Sequence, residues 1–193
     1  MADTFDDVPD RFRRAAKGFE HHLRAVPPDG WGAPTPCTEW DVRQLANHMT
    51  RGNLNYAGLV RGATREEFLA QRDADALGDD PVAAFTASAA ACAAAFAGSG
   101  ALDRVVDYPM GALTGRRALA VRTADSVVHT WDLARALGAG DTLDADLVAW
   151  VDDGYDDIFA GLAVDRFFAD PPAGAPPASR QDRLLTRFGR DPR

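Results

Sequence analysis

The stretch DSVVHTWDLARALG, residues 125–138, has the apolar spacing of a long buried helix. Its apolar residues recur at steps of three and four, the period of a helix. The helix is predicted to run from about Arg116 to Leu137 and to end at Gly138. His129 lies in its middle and Asp125 precedes it by four residues, so the two side chains are expected to be neighbours on one helical face.

The rest of the chain predicts an all-α fold, because long helical patterns alternate with short Gly- and Pro-rich breaks. Further helices are predicted over about residues 4–26, from Thr38 to near Gly62, from the Asp80–Pro81 start signal to about Ala97, and over about 143–168. For the second helix, Thr38 is predicted as the N-cap and Asp41 as its capping-box partner. Residues 101–115 are predicted to form a loop or a short hairpin.

Composition and charge exclude several classes of function. The 193 residues carry 21 Lys and Arg against 29 Asp and Glu, a net charge of −8, and the two signs are interleaved. Neither a nucleic acid nor an anionic membrane surface is therefore expected as a partner. The first residues are acidic, no long apolar run follows them, and there are only two cysteines. A cytoplasmic protein without signal peptide or membrane span is predicted.

The four histidines separate into two pairs. His21 and His22 lie together near the end of the first helix, where ordinary structural roles are expected. His48 and His129 each lie on the inward stripe of a long helix. A buried carboxylate such as Asp125 beside a buried imidazole is costly unless a positive charge shares the site. Either a divalent metal between facing helices or a hydrogen-bonded Asp–His pair satisfies this requirement.

Three motifs resemble one protein family: WGAPTPCTEWDVRQLANHM (31–49), DSVVHTWDLARALG (125–138) and the closing LLTRFGRDP (184–192). They resemble actinobacterial metal-binding proteins of the DinB/YfiT-like superfamily, in particular the N-terminal domain of mycothiol-dependent maleylpyruvate isomerase. The resemblance implies a DinB-like four-helix bundle, with an additional C-terminal helix and tail here. It also implies a divalent metal held by His48, Asp125 and His129. The isomerase has a glutamate where this chain has Asp125, and His22 is the one histidine that could replace a third histidine ligand.

The resemblance also implies an organisation and a function. Residues 1–168 are expected to form the metal-binding bundle, and residues 169–193 a Pro-rich tail that packs on it. Three protein ligands leave open positions for a substrate, as in catalytic metal sites. The expected metal is zinc, with nickel, iron or manganese as alternatives. The expected partners are a low-molecular-weight thiol, mycothiol, and a small electrophile, in S-transfer or thiol-dependent isomerisation. Alternatives are a non-catalytic metal- or small-molecule-binding protein and a metal-dependent hydrolase.

Further predictions concern the surroundings of this site. Asn47, Asn55 and Tyr56 flank or share the face of His48 and are candidate pocket residues. Trp40 is expected in the core, and Cys37 is expected to be a buried structural cysteine. The alanine-rich helix AAFTASAAACAAAFAG (83–98) is nearly apolar all round, which suits either burial within the chain or a homodimer interface.

Overall fold

The computed structural model describes residue 5 and residues 7–163 and 178–193 of the chain. Within them, the helices are α1 (Val8–Leu23), α2 (Val42–Arg61), α3 (Arg65–Ala70), α4 (Pro81–Phe96), α5 (Gly115–Ala136), α6 (Ala145–Ile158) and α7 (Arg180–Arg187). A two-stranded antiparallel hairpin, β1 (Val105–Val106) and β2 (Leu113–Thr114), precedes α5. The all-α prediction is confirmed, and so is the short hairpin within residues 101–115.

The four long helices α1, α2, α4 and α5 form a closed bundle. Helix α5 packs against α1 and α2, and α4 packs against the same two helices on the other side. Helix α5 is the centre of the molecule, because seventeen of its twenty-two residues are buried. Helix α6 packs on α5, and α7 packs on α6. A side chain that faces α2 from the middle of α5 therefore lies deep inside the protein.

Several helix ends coincide with the predicted start and stop signals. Asp80 caps α4 by accepting a hydrogen bond from the backbone N–H of Ala83 at 2.9 Å, directly before Pro81. Gly62 ends α2 with a φ of 107° and Gly138 follows α5 with a φ of 62°. Glycine adopts this left-handed conformation without the steric cost that a side chain would add.

The predicted start of α2 is wrong by three residues. The capping box consists of Asp41 and Gln44, with 2.8 Å from the Gln44 nitrogen to Asp41 Oδ1 and 2.9 Å from the Asp41 nitrogen to Gln44 Oε1. Residues before Asp41 belong to a folded loop, in which the Val42 N–H donates to the carbonyl of Ala33 at 3.0 Å. This tertiary contact outweighs the capping preference of Thr38.

The first and fifth predicted helices are longer than the observed ones. Pro9 occupies the first turn of α1, which begins at Val8, and α1 ends at Leu23, before the prolines at 27 and 28. Helix α6 ends at Ile158, and Gly161 then has a φ of 69°. The remainder of the predicted helix, residues 164–168, lies outside the described residues.

The predicted division at residue 168 also falls outside the described residues. Of the expected tail, residues 178–193 form α7 and a short segment after it, which returns to the bundle through buried Phe188 and Arg190. None of the helices in the described part of the chain has the length and apolar content that crossing a bilayer requires.

Candidate metal centre and cavity

The structure brings His48, Asp125 and His129 together between α2 and α5. Asp125 Oδ2 lies 3.4 Å from His48 Nε2, and Asp125 Oδ1 lies 3.2 Å from His129 Nε2. The three residues offer ligand atoms that all lie within 4.8 Å of one another. Two donor atoms bound to one zinc ion at a tetrahedral angle lie roughly 3.4 Å apart. The donor types and their spacing therefore fit a divalent cation, and the same spacing also fits hydrogen bonds between the histidines and Asp125.

The charge of Asp125 is balanced by Arg122, one turn earlier on α5. Arg122 is 1 % exposed and donates through Nη1 to Asp125 Oδ2. Its Nε donates to Asn53 Oδ1 at 2.9 Å and its Nη2 to the carbonyl of Met49 at 2.6 Å. Gly52 makes room for this guanidinium, because a Cβ there would lie 2.8 Å from Arg122 Nη1. Arg122 is thus anchored to α2 and holds the Asp125 carboxylate in place.

The second nitrogen of His129 is held by a buried ion pair. His129 Nδ1 lies 2.9 Å from Asp132 Oδ2, and the Asp132 side chain is fully buried. Arg190, from the segment after α7, donates to both carboxylate oxygens of Asp132 at 3.1 and 2.7 Å. A histidine that ligates a metal commonly donates its other N–H to such a carboxylate, which orients the ring.

The thiol of Cys37 lies beside this ion pair. Arg190 Nη2 donates to Cys37 Sγ at 2.8 Å, and Cys37, His129 and Asp132 form a second cluster of ligand types within 4.8 Å. Because Arg190 engages both oxygens of Asp132, this cluster is less suited to a cation than the first. Thr35 holds the loop, with its hydroxyl 2.8 Å from the carbonyl oxygen of Trp40 and 3.1 Å from that of Cys37.

The three candidate ligands differ in their protonation. Burial lowers the pKa of His48 to about 4, although Asp125 acts in the opposite direction. Burial alone would raise the pKa of Asp125, but the two neighbouring histidines hold it well below its usual value. Burial alone would lower the pKa of His129, but Asp125, Asp132 and Cys37 hold it well above its usual value. At neutral pH, His48 is therefore neutral, and His129 carries a proton on each nitrogen.

A cavity of about 410 Å³ opens onto the candidate metal centre. His48, Asp125 and Arg122 line it, as do Arg51 and Arg72, and much of the remaining wall is aromatic or aliphatic: Trp40, Tyr56, Phe68, Leu69, Tyr108, Met110 and Phe159. The centroid of the Trp40 ring lies 4.5 Å from that of His48, at 31°. Trp40, expected in the core, instead covers a candidate ligand and lines the cavity.

Two tyrosine hydroxyls meet in the cavity wall. Tyr56 Oη lies 3.0 Å from Tyr108 Oη, and burial raises the pKa of both, to about 12 for Tyr108. Two hydroxyls that share one hydrogen bond use one of their two hydrogens. Within the described part of the chain, the pair has no further acceptor, so one hydroxyl hydrogen is left for a ligand.

Of the three candidate pocket residues, two line the cavity and one does not. Tyr56 and Asn55 line the cavity. Asn47 does not line it; its amide donates to the carbonyl of Ala74 at 3.0 Å and accepts from the N–H of Ala76 at 2.7 Å, which fastens the loop after α3. Among the described residues, His21 and His22 belong to neither cluster of candidate metal ligands.

Sequence reasoning assigned no site role to the residues that surround the ligands. Arg122 and Asp132 could have been found from helical spacing, because each lies three residues from a candidate ligand on α5. Cys37, Trp40 and Arg190 carry no such local signal, since a folded loop and a distant segment bring them to the site.

The fold and the site together define a class of protein: a helical bundle in which two histidines and a carboxylate from facing helices meet, and one of these histidines and the carboxylate line a cavity. The family model described as the mycothiol maleylpyruvate isomerase N-terminal domain matches residues 12–134, and the chain belongs to this family. The resemblance found in the sequence is thereby confirmed.

Two sets of relatives extend this comparison. Uncharacterised proteins from two strains of Mycobacterium tuberculosis, Rv0738 and MT0763, are each 34 % identical over 135 residues, which is 70 % of this chain and 70 % of theirs. Crystal structures of the mycothiol-dependent maleylpyruvate isomerase and of a histidine-to-alanine variant superpose with a TM-score of 0.61 at 15 % identity. The superposed region covers 77 % of this chain and 68 % of the isomerase chain. At 15 % identity, this similarity shows a shared fold and no more.

Proposed function

We propose that this protein holds a divalent metal through His48, Asp125 and His129 and uses it with mycothiol to convert a small electrophile. The observation that carries the proposal is the convergence of these three donors on two facing helices, with His48 and Asp125 lining a cavity. Zinc is the first candidate for the metal. A divalent ion at such a site lowers the pKa of a bound thiol, so that the nucleophilic thiolate forms near neutral pH.

The balance of buried charge supports an anionic ligand. Asp125 and Asp132 carry two negative charges, and Arg122 and Arg190 carry two positive charges that pair with them. A divalent ion therefore adds two uncompensated positive charges. In a buried site this excess favours a thiolate over a neutral ligand.

The protein's own groups supply positioning and proton handling. Asp132 holds the proton on His129 Nδ1, which leaves Nε2 directed at Asp125. The hydroxyl pair of Tyr56 and Tyr108 holds a proton that it can donate to a developing negative charge on the electrophile. Attack by the thiol sulfur with loss of a leaving group gives S-transfer, whereas reversible addition to a conjugated double bond allows rotation and elimination, hence isomerisation.

Metal content is the first test. Protein purified without a nickel column is expected to contain about one equivalent of metal by mass spectrometry. The double variant His48→Ala/His129→Ala is expected to contain none, while the matched control His21→Ala/His22→Ala, on α1, keeps the metal. Wild type that contains no metal and takes up neither zinc nor nickel contradicts the proposal and leaves the hydrogen-bonded Asp–His pair as the explanation.

Thiol use is the second test. Calorimetry should detect mycothiol binding to the metal-loaded protein and none to the His48→Ala/His129→Ala variant. Chlorodinitrobenzene then probes S-transfer and maleylpyruvate probes isomerisation. Metal binding without thiol binding would identify a non-catalytic metal-binding protein, the main alternative.

A further inference from the structure

The guanidinium groups of two arginines in the cavity wall have no partner among the described residues. Arg51 follows His48 by three residues on α2, Arg72 follows α3, and both line the cavity. Across the described residues, neither guanidinium takes part in a hydrogen bond or ion pair, whereas Arg122 in the same wall engages Asn53, Met49 and Asp125. Arg51 and Arg72 therefore have their donors available for a ligand.

The two arginines place two positive charges in one cavity wall with no paired carboxylate among the described residues. Burial lowers the pKa of Arg51, Asp73 raises it from beyond ion-pair distance, and the charge of Arg72, the smallest of the three influences, lowers it. A planar carboxylate accepts hydrogen bonds from guanidinium groups with good geometry, and such charge-assisted bonds are stronger than neutral ones. An anionic group on a ligand would give both guanidinium groups such a partner.

The remainder of the cavity wall favours an apolar body. Trp40, Phe68, Tyr108 and Phe159 all contribute rings to the wall. The volume of about 410 Å³ lies within the range of small-molecule sites. A ligand that is polar throughout would leave these rings without complementary contacts.

We propose that the cavity binds a small carboxylate with an aromatic or similarly apolar body, whose carboxylate is held by Arg51 and Arg72 and whose body lies on the aromatic wall beside the metal-ligand set. The identification of this ligand as the electrophile rests on the proposed function. The binding itself requires no turnover and can be measured separately.

The probes are naphthoate and its neutral counterpart naphthamide, which differ in charge but share the same ring system. Calorimetry is run on wild type, on Arg51→Gln/Arg72→Gln and on the control Arg61→Gln, an exposed arginine at the end of α2 that does not line the cavity. Each protein is measured as purified and again after treatment with a chelator, because a carboxylate could instead be bound by the metal.

The wild type is expected to bind naphthoate at least about tenfold more tightly than naphthamide, before and after chelation. Arg51→Gln/Arg72→Gln is expected to bind the two probes equally, and Arg61→Gln to behave as wild type. Survival of this pattern in a protein that proves to contain no metal would support the carboxylate site even though the proposed function fails.

Three results would overturn the inference. These are equal binding of the two probes by wild type, no binding of either probe, and a preference for naphthoate that survives in Arg51→Gln/Arg72→Gln. If that surviving preference is abolished by the chelator, the carboxylate is bound by the metal, and the proposed function stands without the arginine site.

Discussion

Arg190 and Asp132 form a two-point ion pair in the interior, although 58 residues separate them along the chain. Arg190 Nε and Nη2 donate to the two oxygens of Asp132 at 3.1 and 2.7 Å, and the two side chains are 5 % and 0 % exposed. The same carboxylate binds His129 Nδ1. The segment after α7 therefore contributes directly to the orientation of a candidate metal ligand on α5.

Removing this cation should destabilise the protein strongly. Arg190→Ala leaves the buried carboxylate of Asp132 without its partner, and breaking a buried ion pair in this way costs about 3–5 kcal/mol. The free energy of unfolding in urea is the measurement. Arg193→Ala, which removes a solvent-exposed pair with Asp191, should leave it almost unchanged. Equal effects of the two substitutions would show that the buried pair contributes little.

Two glycines of α2 should respond oppositely to alanine. In Gly52→Ala the new Cβ would lie 2.8 Å from Arg122 Nη1 and 3.0 Å from its Cζ, so the buried guanidinium must move, at a cost of about 1–3 kcal/mol. In Gly58→Ala the new Cβ would meet the Ala63 side chain at 3.4 Å, an ordinary contact, and the better helix former should add up to about 1 kcal/mol.

The free energy of unfolding in urea, measured for both glycine variants, tests this prediction. Gly52→Ala should also reduce the metal content, because Arg122 fixes Asp125. A Gly52→Ala variant as stable as Gly58→Ala would show that Arg122 relocates without cost.

Metal uptake should release about one proton at pH 7. The raised pKa of His129 means that the metal-free protein holds a proton on Nε2, which a metal must displace, whereas His48, with a pKa of about 4, is already neutral. Metal affinity should therefore rise with pH up to the pKa of His129. Calorimetry in buffers of different ionisation enthalpy counts the protons. No released proton would contradict the charged state assigned to His129.

The metal-free protein should lose stability as pH rises. A raised folded-state pKa stabilises the protein fully below the unfolded value, which is about 6.5 for histidine, and this contribution is lost as pH rises through the folded pKa. The lowered pKa of Asp125 acts only in acid, below about pH 4, where stability is lost as pH falls. Urea unfolding of chelated protein between pH 6 and pH 9 should show this decline, and His129→Gln should flatten it.

The tyrosine pair should matter for turnover more than for stability. Tyr108→Phe keeps the ring in the cavity wall but removes one hydroxyl, and loss of a positioned proton donor lowers a rate by about 100-fold or more. Thiol-dependent consumption of the electrophile is the measurement, with unfolding curves as a check on the fold. Tyr155→Phe, on α6, is the matched control. Full activity in both Tyr108→Phe and Tyr56→Phe would remove the pair from the reaction.

Local sequence signals predicted most of the helices because these signals act over a few residues. The Asp80–Pro81 start, Gly62 and Gly138 operate through backbone geometry, and the structure has helix boundaries at all three. The misplaced N-cap of α2 illustrates the limit of this reasoning. Thr38 has suitable chemistry, but the hydrogen bond between Val42 and Ala33 keeps the loop folded as far as Asp41.

By itself the sequence determined the all-α fold and the adjacency of Asp125 and His129, because helical periodicity places residues four apart on one face. The family resemblance added His48, and only the tertiary structure decided which other groups complete the site and how they meet. The packing of α2 on α5 brings His48 to the pair, the loop before α2 brings Trp40 and Cys37, and the segment after α7 brings Arg190. These contacts depend on how apolar faces pack, which no local pattern specifies.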